Sequence, residues 1–424
     1  MIVGAIVLVL LALLGMPLFA VIGAAALLGF HAAEVDLSVV AIELYRLAEM
    51  PTLLAIPLFT FAGYLLSESG APVRLVALTR ALLGWLPGGL ALVALAACAF
   101  FTAFTGASGV TIVALGALLY PALRAAGYGE RFSLGLVTTS GSLGLLFAPS
   151  LPLILYGIVA QQLGVGRPFT LDELFLAGVL PGLLMVLLLS GWSMWVNRGL
   201  PLTGFSPAEA RAALWAARWE LPLPIVVLGG IYGGVVAVSE AAAVTVVYVL
   251  VVEVLVHREI PLRELPRVMR ESMLLVGGVL VILGVSLAST NYLLDAQVPA
   301  RLFEAVRRYV DSPLTFLLLL NVFLLVLGMM LDIFAALVIV VPLLLPMAVG
   351  YGIDPVHLGI VFLANMQLGY FTPPVGMNLF IASLRFGKDV AELVRAAVPF
   401  FLILLAAVLV ITYWPGLSLG LQRP

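Results

Sequence analysis

Ala103-Phe104-Thr105-Gly106-Ala107-Ser108-Gly109-Val110 (residues 103–110) is the polar centre of an apolar region, 88–123, bracketed by Pro87 and Pro121. A membrane-spanning helix needs about 20 apolar residues, so this region is too long for one crossing and too short for two. Divided at the polar centre, it gives two arms of roughly 16 residues, near 24 Å each at 1.5 Å per residue. The hydrocarbon core is about 30 Å thick, so neither arm crosses it. A helical hairpin that enters and leaves on one side fits the length. Irregular backbone at its tip survives at membrane depth only where protein or a water-filled cavity covers it. A second region, 313–346, bracketed by Pro313 and Pro346, poses the same problem, with Gly328-Met329-Met330-Leu331-Asp332 at its centre.

The rest of the chain agrees that lipid is its solvent. Of 424 residues, 63% are hydrophobic and 10% charged. A soluble domain is roughly a quarter charged, and this composition in water would leave far too much apolar surface uncovered. A soluble enzyme, a disordered tail and a nucleic-acid binder are excluded, and the net charge of −2 points to no polyanionic partner. The single cysteine, Cys98, cannot form an intrachain disulfide, and His31, His257 and His357 are too scattered for a metal cluster. All three histidines fall at span ends, where an interfacial position is expected. Ten stretches read as spans: 2–14, 16–32, 51–68, 132–163, 173–196, 221–237, 239–256, 272–291, 356–384 and 396–415. The N-terminus lacks the basic leader and small-residue site of a cleavable signal, so it is read as the first span.

Most of the 20 Lys and Arg fall in one set of connections, with Arg74, Arg80, Arg124, Arg131, Arg198, Arg211, Arg218, Arg258, Arg263, Arg267, Arg270, Arg385, Lys388 and Arg395. The other set holds Arg46, Arg167, Arg301, Arg307, Arg308 and Arg423. The richer set is expected on the cytoplasmic side, which places both termini outside. Segment 33–50, with Glu34, Asp36, Glu43 and Glu49 against Arg46, suits the outer side. The first hairpin then opens inward and the second outward.

An internal repeat accounts for the pairing of these features. At a shift of about 225 residues, Pro87 and Pro121 meet Pro313 and Pro346, and Gly127-Tyr128 meets Gly350-Tyr351. Gly144-Leu-Leu-Phe-Ala-Pro149 meets Gly369-Tyr-Phe-Thr-Pro-Pro374, and the amphipathic segment 33–50 meets 258–271. Five spans and one hairpin per half is an odd number of crossings, so the second half lies inverted. Prolines within two long spans, at Ala148-Pro149-Ser150-Leu151-Pro152 and Thr372-Pro373-Pro374-Val375-Gly376, remove backbone donors and break the helices there. Two hairpins facing two broken helices, related by inversion, is the pattern of a secondary transporter with its site near the midplane. Carbonyls at half-helix C-termini can hold Na⁺, and N-termini attract an anion.

Over nearly its whole length the sequence resembles the large membrane subunit of TRAP (tripartite ATP-independent periplasmic) transporters. The likeness rests on Gly15-Met-Pro17, Ile56-Pro-Leu-Phe59, Gly84-Trp-Leu-Pro-Gly-Gly-Leu90, the tip at 105–109, Gly127-Tyr128, Ala148-Pro-Ser150, Ser239-Glu-Ala-Ala-Ala243, Gly328 to Asp332 and Gly369 to Gly376. The resemblance implies an all-α polytopic inverted-repeat protein of the bacterial inner membrane, an elevator-type importer of organic acids driven by Na⁺. It implies two partners, a small membrane subunit of four helices and a periplasmic substrate-binding protein. It divides the chain into scaffold helices and outer arm (1–87), the first half of the transport domain (88–163), scaffold and cytoplasmic arm (164–312), the second transport half (313–384) and a C-terminal helix (385–424). One Na⁺ site would use Gly328, Gly369, Thr372 and Val375, mostly through carbonyls. Its counterpart would use Gly144, Phe147 and Ser150. Substrate contacts would come from Thr105, Gly106, Ser108, Ser150, Asp332, Thr372 and Asn378.

Plainer roles stand beside these. Thr105, Ser108 and Thr372 can bond back to carbonyls of their own helices. Asp332, a charge expected at membrane depth, is functional or paired by default, unless the tip is shallow and the carboxylate solvated. Asn378 either faces the cavity or packs between helices. Met329 and Met330 read as core filler, and Glu240 as a helix cap. Two rival functions remain: a stand-alone carboxylate symporter or exchanger of the same architecture, and an intramembrane serine protease. The latter follows from the likeness of Gly106-Ala107-Ser108-Gly109 to a rhomboid-type nucleophile motif, and it requires a base beside Ser108.

Overall fold

Prolines and glycines set most helix ends in this chain. In the computed structural model, which describes residues 7, 8, 10–12, 14–200 and 204–422, the described residues form helices and no strand. In chain order the helices are α1 (Leu18–Ala32), α2 (Ser38–Ala48), α3 (Ala55–Glu68), α4 (Ala71–Leu83), α5 (Gly89–Thr105), α6 (Ser108–Ala125), α7 (Glu130–Ser140), α8 (Leu151–Leu163), α9 (Leu171–Val196), α10 (Pro207–Ala216), α11 (Pro222–Tyr232), α12 (Val238–Leu250), α13 (Leu265–Asp295), α14 (Val298–Arg307), α15 (Pro313–Met330), α16 (Ile333–Gly350), α17 (Pro355–Gly369), α18 (Met377–Phe386), α19 (Val390–Tyr413) and α20 (Gly416–Leu419). Proline occupies the first turn of α4, α8, α10, α11, α13, α14, α15 and α17, where its missing N–H costs nothing.

Among the described residues, eight helices are long and apolar enough to cross a membrane, or nine if the bent pair at 130–163 counts as one. Ten were expected. The 2–14 stretch, like Arg423, lies wholly or partly outside the described residues. Stretch 221–237 yields only the 11-residue α11, because Gly233 and Gly234 stop it, the latter at φ +66°. Stretch 356–384 divides into α17 and α18 around Thr372-Pro373-Pro374, and 132–163 divides into α7 and α8, bent by 41°. The two hairpin regions are helix pairs, α5–α6 and α15–α16, each interrupted at its polar centre.

The two halves pack as exchanged pairs. Helix α1 lies on α13 and α12 on α3; α7 lies on α19 and α17 on α9; α8 lies on α16 and α18 on α6. Each contact has its counterpart with the halves swapped, the signature of a two-fold relation between them. Of the two segments 33–50 and 258–271, the second differs from the sequence reading. The first is the short helix α2, separated from α3 by Met50-Pro51 and one 3₁₀ turn. The second is no separate surface helix: 258–264 is a turn, with Arg258 at φ +56°, and 265–271 is the start of the 31-residue α13. What is arm and span in the first half is one rod in the second, because nothing equivalent to Pro51 interrupts it.

Charged contacts gather at two ends of the molecule. Arg74 on α4 meets Glu220 at 2.5 Å, Glu259 at 2.5 Å and Glu253 at 3.1 Å, and Glu259 also accepts from the Gly70 N–H at 2.7 Å. Arg267 reaches Glu68 at 2.6 Å, and Lys388 pairs with Glu130. At the other end Arg167 joins Asp354 at 2.9 Å, Glu173 at 2.7 Å and the Gln422 amide at 2.8 Å. These ion pairs never mix the two sets of connections defined by the Lys and Arg distribution. His357 corrects another expectation: only 2% exposed, its ring meets Ser418 Oγ at 3.0 Å and the Thr412 carbonyl at 3.2 Å, tying α17 to the C-terminal helices.

Candidate functional site

Helix α5 carries six alanines in 17 residues, which lets neighbouring backbones approach closely, and nearly all of it is buried. It ends at Thr105 because Gly106 turns into the left-handed region at φ +65°, its N–H donating to the Thr102 carbonyl at 2.8 Å. Ala107 is extended and α6 begins at Ser108. A Cβ on Gly106 would stand 2.5 Å from that of Leu151, so this tip is pressed onto the first residue of α8. The Thr105 hydroxyl accepts from the Ala107 N–H at 3.5 Å. Ser108 does not bond back along its helix; its hydroxyl donates to Asn378 Oδ1 at 2.8 Å. Asn378 Nδ2 donates to the Thr138 carbonyl at 3.4 Å, so one amide in α18 holds α6 and α7 of the other half.

The break between α7 and α8 is a 3₁₀ turn at 143–146, then extended Phe147, a cis Ala148–Pro149 bond and Ser150. Ser150 is fully buried and its hydroxyl donates to the Leu145 carbonyl at 2.6 Å, an acceptor released by the break. Gly144 lies so close to α5 that a Cβ there would come within 2.3 Å of the Ala99 carbonyl. Gly144, Phe147 and Ser150 therefore share one break, beside the tip that holds Gly106.

The second tip has the same plan with different capping. Leu331 is extended, and Asp332 Oδ1 accepts the N–H groups of Phe334 at 2.9 Å and Ala335 at 3.0 Å, which starts α16. Asp332 is half-buried, its carboxylate engaged as an N-cap. The Ile333 N–H donates to Tyr370 Oη at 2.8 Å, and the Gly376 N–H donates to the Met329 carbonyl at 3.2 Å. Gly328 and Gly369 meet backbone to backbone: a Cβ on Gly369 would lie 2.5 Å from Gly328 Cα. The break then runs through a cis Pro373–Pro374 bond to Gly376 at φ +53°, with Val375 exposed on the same loop. Thr372 bonds back, donating to the Leu368 carbonyl at 2.7 Å. Gly328, Gly369, Thr372 and Val375 thus lie on one tip and the break it touches, whereas Asn378 joins Ser108.

Three hydroxyls join the site without having been singled out in the sequence: Thr102, Thr111 and Ser142. Thr102 Oγ1 donates to the Gly141 carbonyl at 2.8 Å and lies 2.7 Å from Thr111 Oγ1, linking both arms of the first pair to the break. Ser142 Oγ donates to the Gln367 carbonyl at 3.4 Å, joining the two breaks. The signal was present as hydroxyls at 102, 105, 108 and 111 in an otherwise apolar hairpin. Glu240 caps its helix as expected, accepting the Ala237 N–H at 2.8 Å. Ser108 has an amide for a partner and no histidine, so the protease arrangement is not assembled.

An all-helical membrane protein of two exchanged halves, with two interrupted helix pairs seated on two broken helices, defines the class: a multi-pass transporter. The solved structure of the Alcanivorax borkumensis YdaH transporter superposes with a TM-score of 0.66 at 16% identity, over 91% of this chain and 89% of that one. The family described as tripartite ATP-independent periplasmic transporter, DctM component, matches residues 2–417. A C4-dicarboxylate TRAP transporter large permease protein from Pseudomonas aeruginosa is 37% identical over 90% of this chain and 89% of its own length. An isethionate TRAP transporter permease from Oleidesulfovibrio alaskensis is 34% identical over 96% of this chain and 64% of its own length. The chain belongs to the TRAP transporter large permease family, whose members are membrane permeases and not enzymes.

Proposed function

We propose that this chain is the large membrane subunit of a Na⁺-coupled importer of a small organic anion, working by an elevator motion of the two helix pairs and two broken helices. The observation that carries the reading is the seating of each tip on a break, Gly328 on Gly369 and Gly106 on Leu151. That arrangement gathers interrupted backbone from four elements in the protein interior, where irregular backbone is otherwise not tolerated. The pairs α5–α6 and α15–α16 serve as re-entrant hairpins, each turning at an interrupted centre that is seated on a break; with 17 and 18 residues in the first the arms are about 26 and 27 Å long, at the lower limit for a crossing. Oxygen ligands from Gly328, Gly369, Thr372 and Val375 suit Na⁺, which binds at unwound backbone between half-helices. Gly144, Phe147 and Ser150 form the counterpart site.

Small organic anions fit as cargo because the relatives carry the names of a C4-dicarboxylate and isethionate permease. With no Lys or Arg at either tip or break, helix dipoles, hydroxyls and bound Na⁺ balance the anion. A small membrane subunit and a periplasmic binding protein complete the system in the bacterial inner membrane. The arginine-rich end of the molecule, with Arg74 and Arg267, faces the cytoplasm.

Reconstitution tests this. The three-component system in proteoliposomes is expected to accumulate labelled succinate or isethionate when an inward Na⁺ gradient is imposed. Equal uptake in choline would contradict Na⁺ coupling. Uptake by this chain alone would favour the stand-alone symporter.

A further inference from the structure

Gln367 sits in the last turn of α17, two residues before Gly369. Its side chain is 0% exposed, yet neither Oε1 nor Nε2 has a hydrogen-bond partner. Buried carboxamides are ordinarily satisfied, and membrane-embedded polar groups without a partner mark functional positions. The other amide on this helix is engaged on one side: Asn365 Nδ2 donates to Asn321 Oδ1 at 2.6 Å and to the Val361 carbonyl at 2.8 Å, leaving Asn365 Oδ1 unpartnered, whereas both polar atoms of Gln367 lack a partner.

Gln367 also occupies a particular place. Its main-chain carbonyl accepts from Ser142, the residue that the repeat shift of about 225 pairs with it, so the residue stands where the two breaks meet. Four residues before Ser142, the Thr138 hydroxyl is buried and unpartnered too, while its carbonyl holds Asn378. The chemistry of the amide narrows the ligand. A cation can take Oε1 but leaves both Nε2 hydrogens without an acceptor. Those hydrogens call for an oxygen bearing lone pairs. In segments without Lys or Arg, a neutral N–H donor complements the helix dipoles, hydroxyls and bound Na⁺ in recognising an anion.

We propose that Gln367 is a substrate-binding residue whose Nε2 donates to a carboxylate or sulfonate oxygen of the transported anion. The assignment rests on the transport reading above and adds to it the group that selects the cargo.

The test is uptake by the full three-component complex in proteoliposomes, with labelled succinate and isethionate as probes. Gln367→Leu, Gln367→Asn and Gln367→Glu are compared with the native chain for anion KM, maximal rate and the half-saturating Na⁺ concentration. Gln367→Leu is expected to raise the anion KM roughly tenfold, the loss of about one hydrogen bond. Gln367→Asn should restore part of it, and Gln367→Glu, close to native in shape, should abolish uptake by repelling the anion. Half-saturating Na⁺ should stay within about twofold, since a cation site needs none of the N–H donors. An unchanged anion KM in Gln367→Leu, or in Gln367→Asn and Gln367→Glu where the Leu chain does not fold, overturns the assignment and leaves the amide as the seat of a bound water. A shift confined to Na⁺ overturns it in favour of a cation ligand. A native complex with no Na⁺-stimulated uptake of either probe overturns the transport reading itself, whatever the variants do.

Discussion

Backbone contact at Gly369 leaves no room for a side chain. A methyl there would stand 2.5 Å from both Cα and the carbonyl carbon of Gly328, atoms that cannot swing aside as a flexible side chain would. Gly369→Ala is therefore expected to lower the detergent-solubilised melting temperature by several degrees, as overpacking costs about 1–3 kcal/mol, and to abolish uptake. Gly277→Ala, where nothing lies within 4 Å, should lower neither. Ser108→Ala removes the donor to a buried Asn378 Oδ1. An orphaned buried acceptor costs about 1–3 kcal/mol, so this variant should unfold earlier on heating and import more slowly. Serine hydrolase probes should fail to label Ser108 in the native chain. At this scale the sequence was readable where backbone chemistry decides: glycines and prolines marked both tips and both breaks. It was poorly readable where a side chain's partner lies far along the chain. Ser108 and Asn378 were each singled out, but nothing in local spacing tells that residues 270 apart in sequence share a hydrogen bond.

Helix α4 is anchored by one guanidinium among three carboxylates, two of them nearly inaccessible. Removing the cation from such a cluster leaves buried like charges facing one another, a loss of about 3–5 kcal/mol. Arg74→Ala is expected to express poorly or melt much earlier, with Arg74→Lys only a partial substitute because lysine lacks the planar fork. The cluster also predicts a pH dependence. Burial pushes the Glu259 carboxyl up, but Arg74 and the Gly70 N–H outweigh it and hold it below the ordinary carboxylate range. A carboxyl depressed in the folded state contributes stability above its unfolded value and loses it as pH falls through its folded one. Thermal stability should therefore fall as the solution is acidified below about pH 4.5, and Glu259→Gln should flatten that fall. Arg267, Arg270 and Glu271 look like the polar face of a surface helix, but Pro266 is the first-turn proline of α13. Charge periodicity reports a helical face without reporting where the helix stops, so one rod resembled two pieces. His357 was misplaced for a related reason: a polar residue near a span end reads as interfacial until Ser418 and Thr412 from the C-terminal helices cover it.

The whole molecule is two copies of one plan, each packed through the other. Helix α7 rests on α19 as α17 rests on α9, and α8 on α16 as α18 on α6. The repeat was visible beforehand because its markers are prolines and glycines, whose backbone roles do not depend on what packs around them. The packing was not: α5, rich in alanine, is buried along nearly its whole length, whereas its counterpart α15 turns Leu314, Leu318, Val322 and Val326 outward. Symmetry of topology does not extend to symmetry of surroundings. The account depends on one half lying upside down relative to the other, and impermeant maleimide labelling of single cysteines in a Cys98→Ala background tests that directly. Trp85→Cys and Ala125→Cys, exposed at the two ends of the first helix pair, are expected to label only in inside-out vesicles. Asp311→Cys, exposed before the second pair, should label only in right-side-out vesicles. Labelling of all three from the same face would contradict the inversion, and with it the proposed transport site.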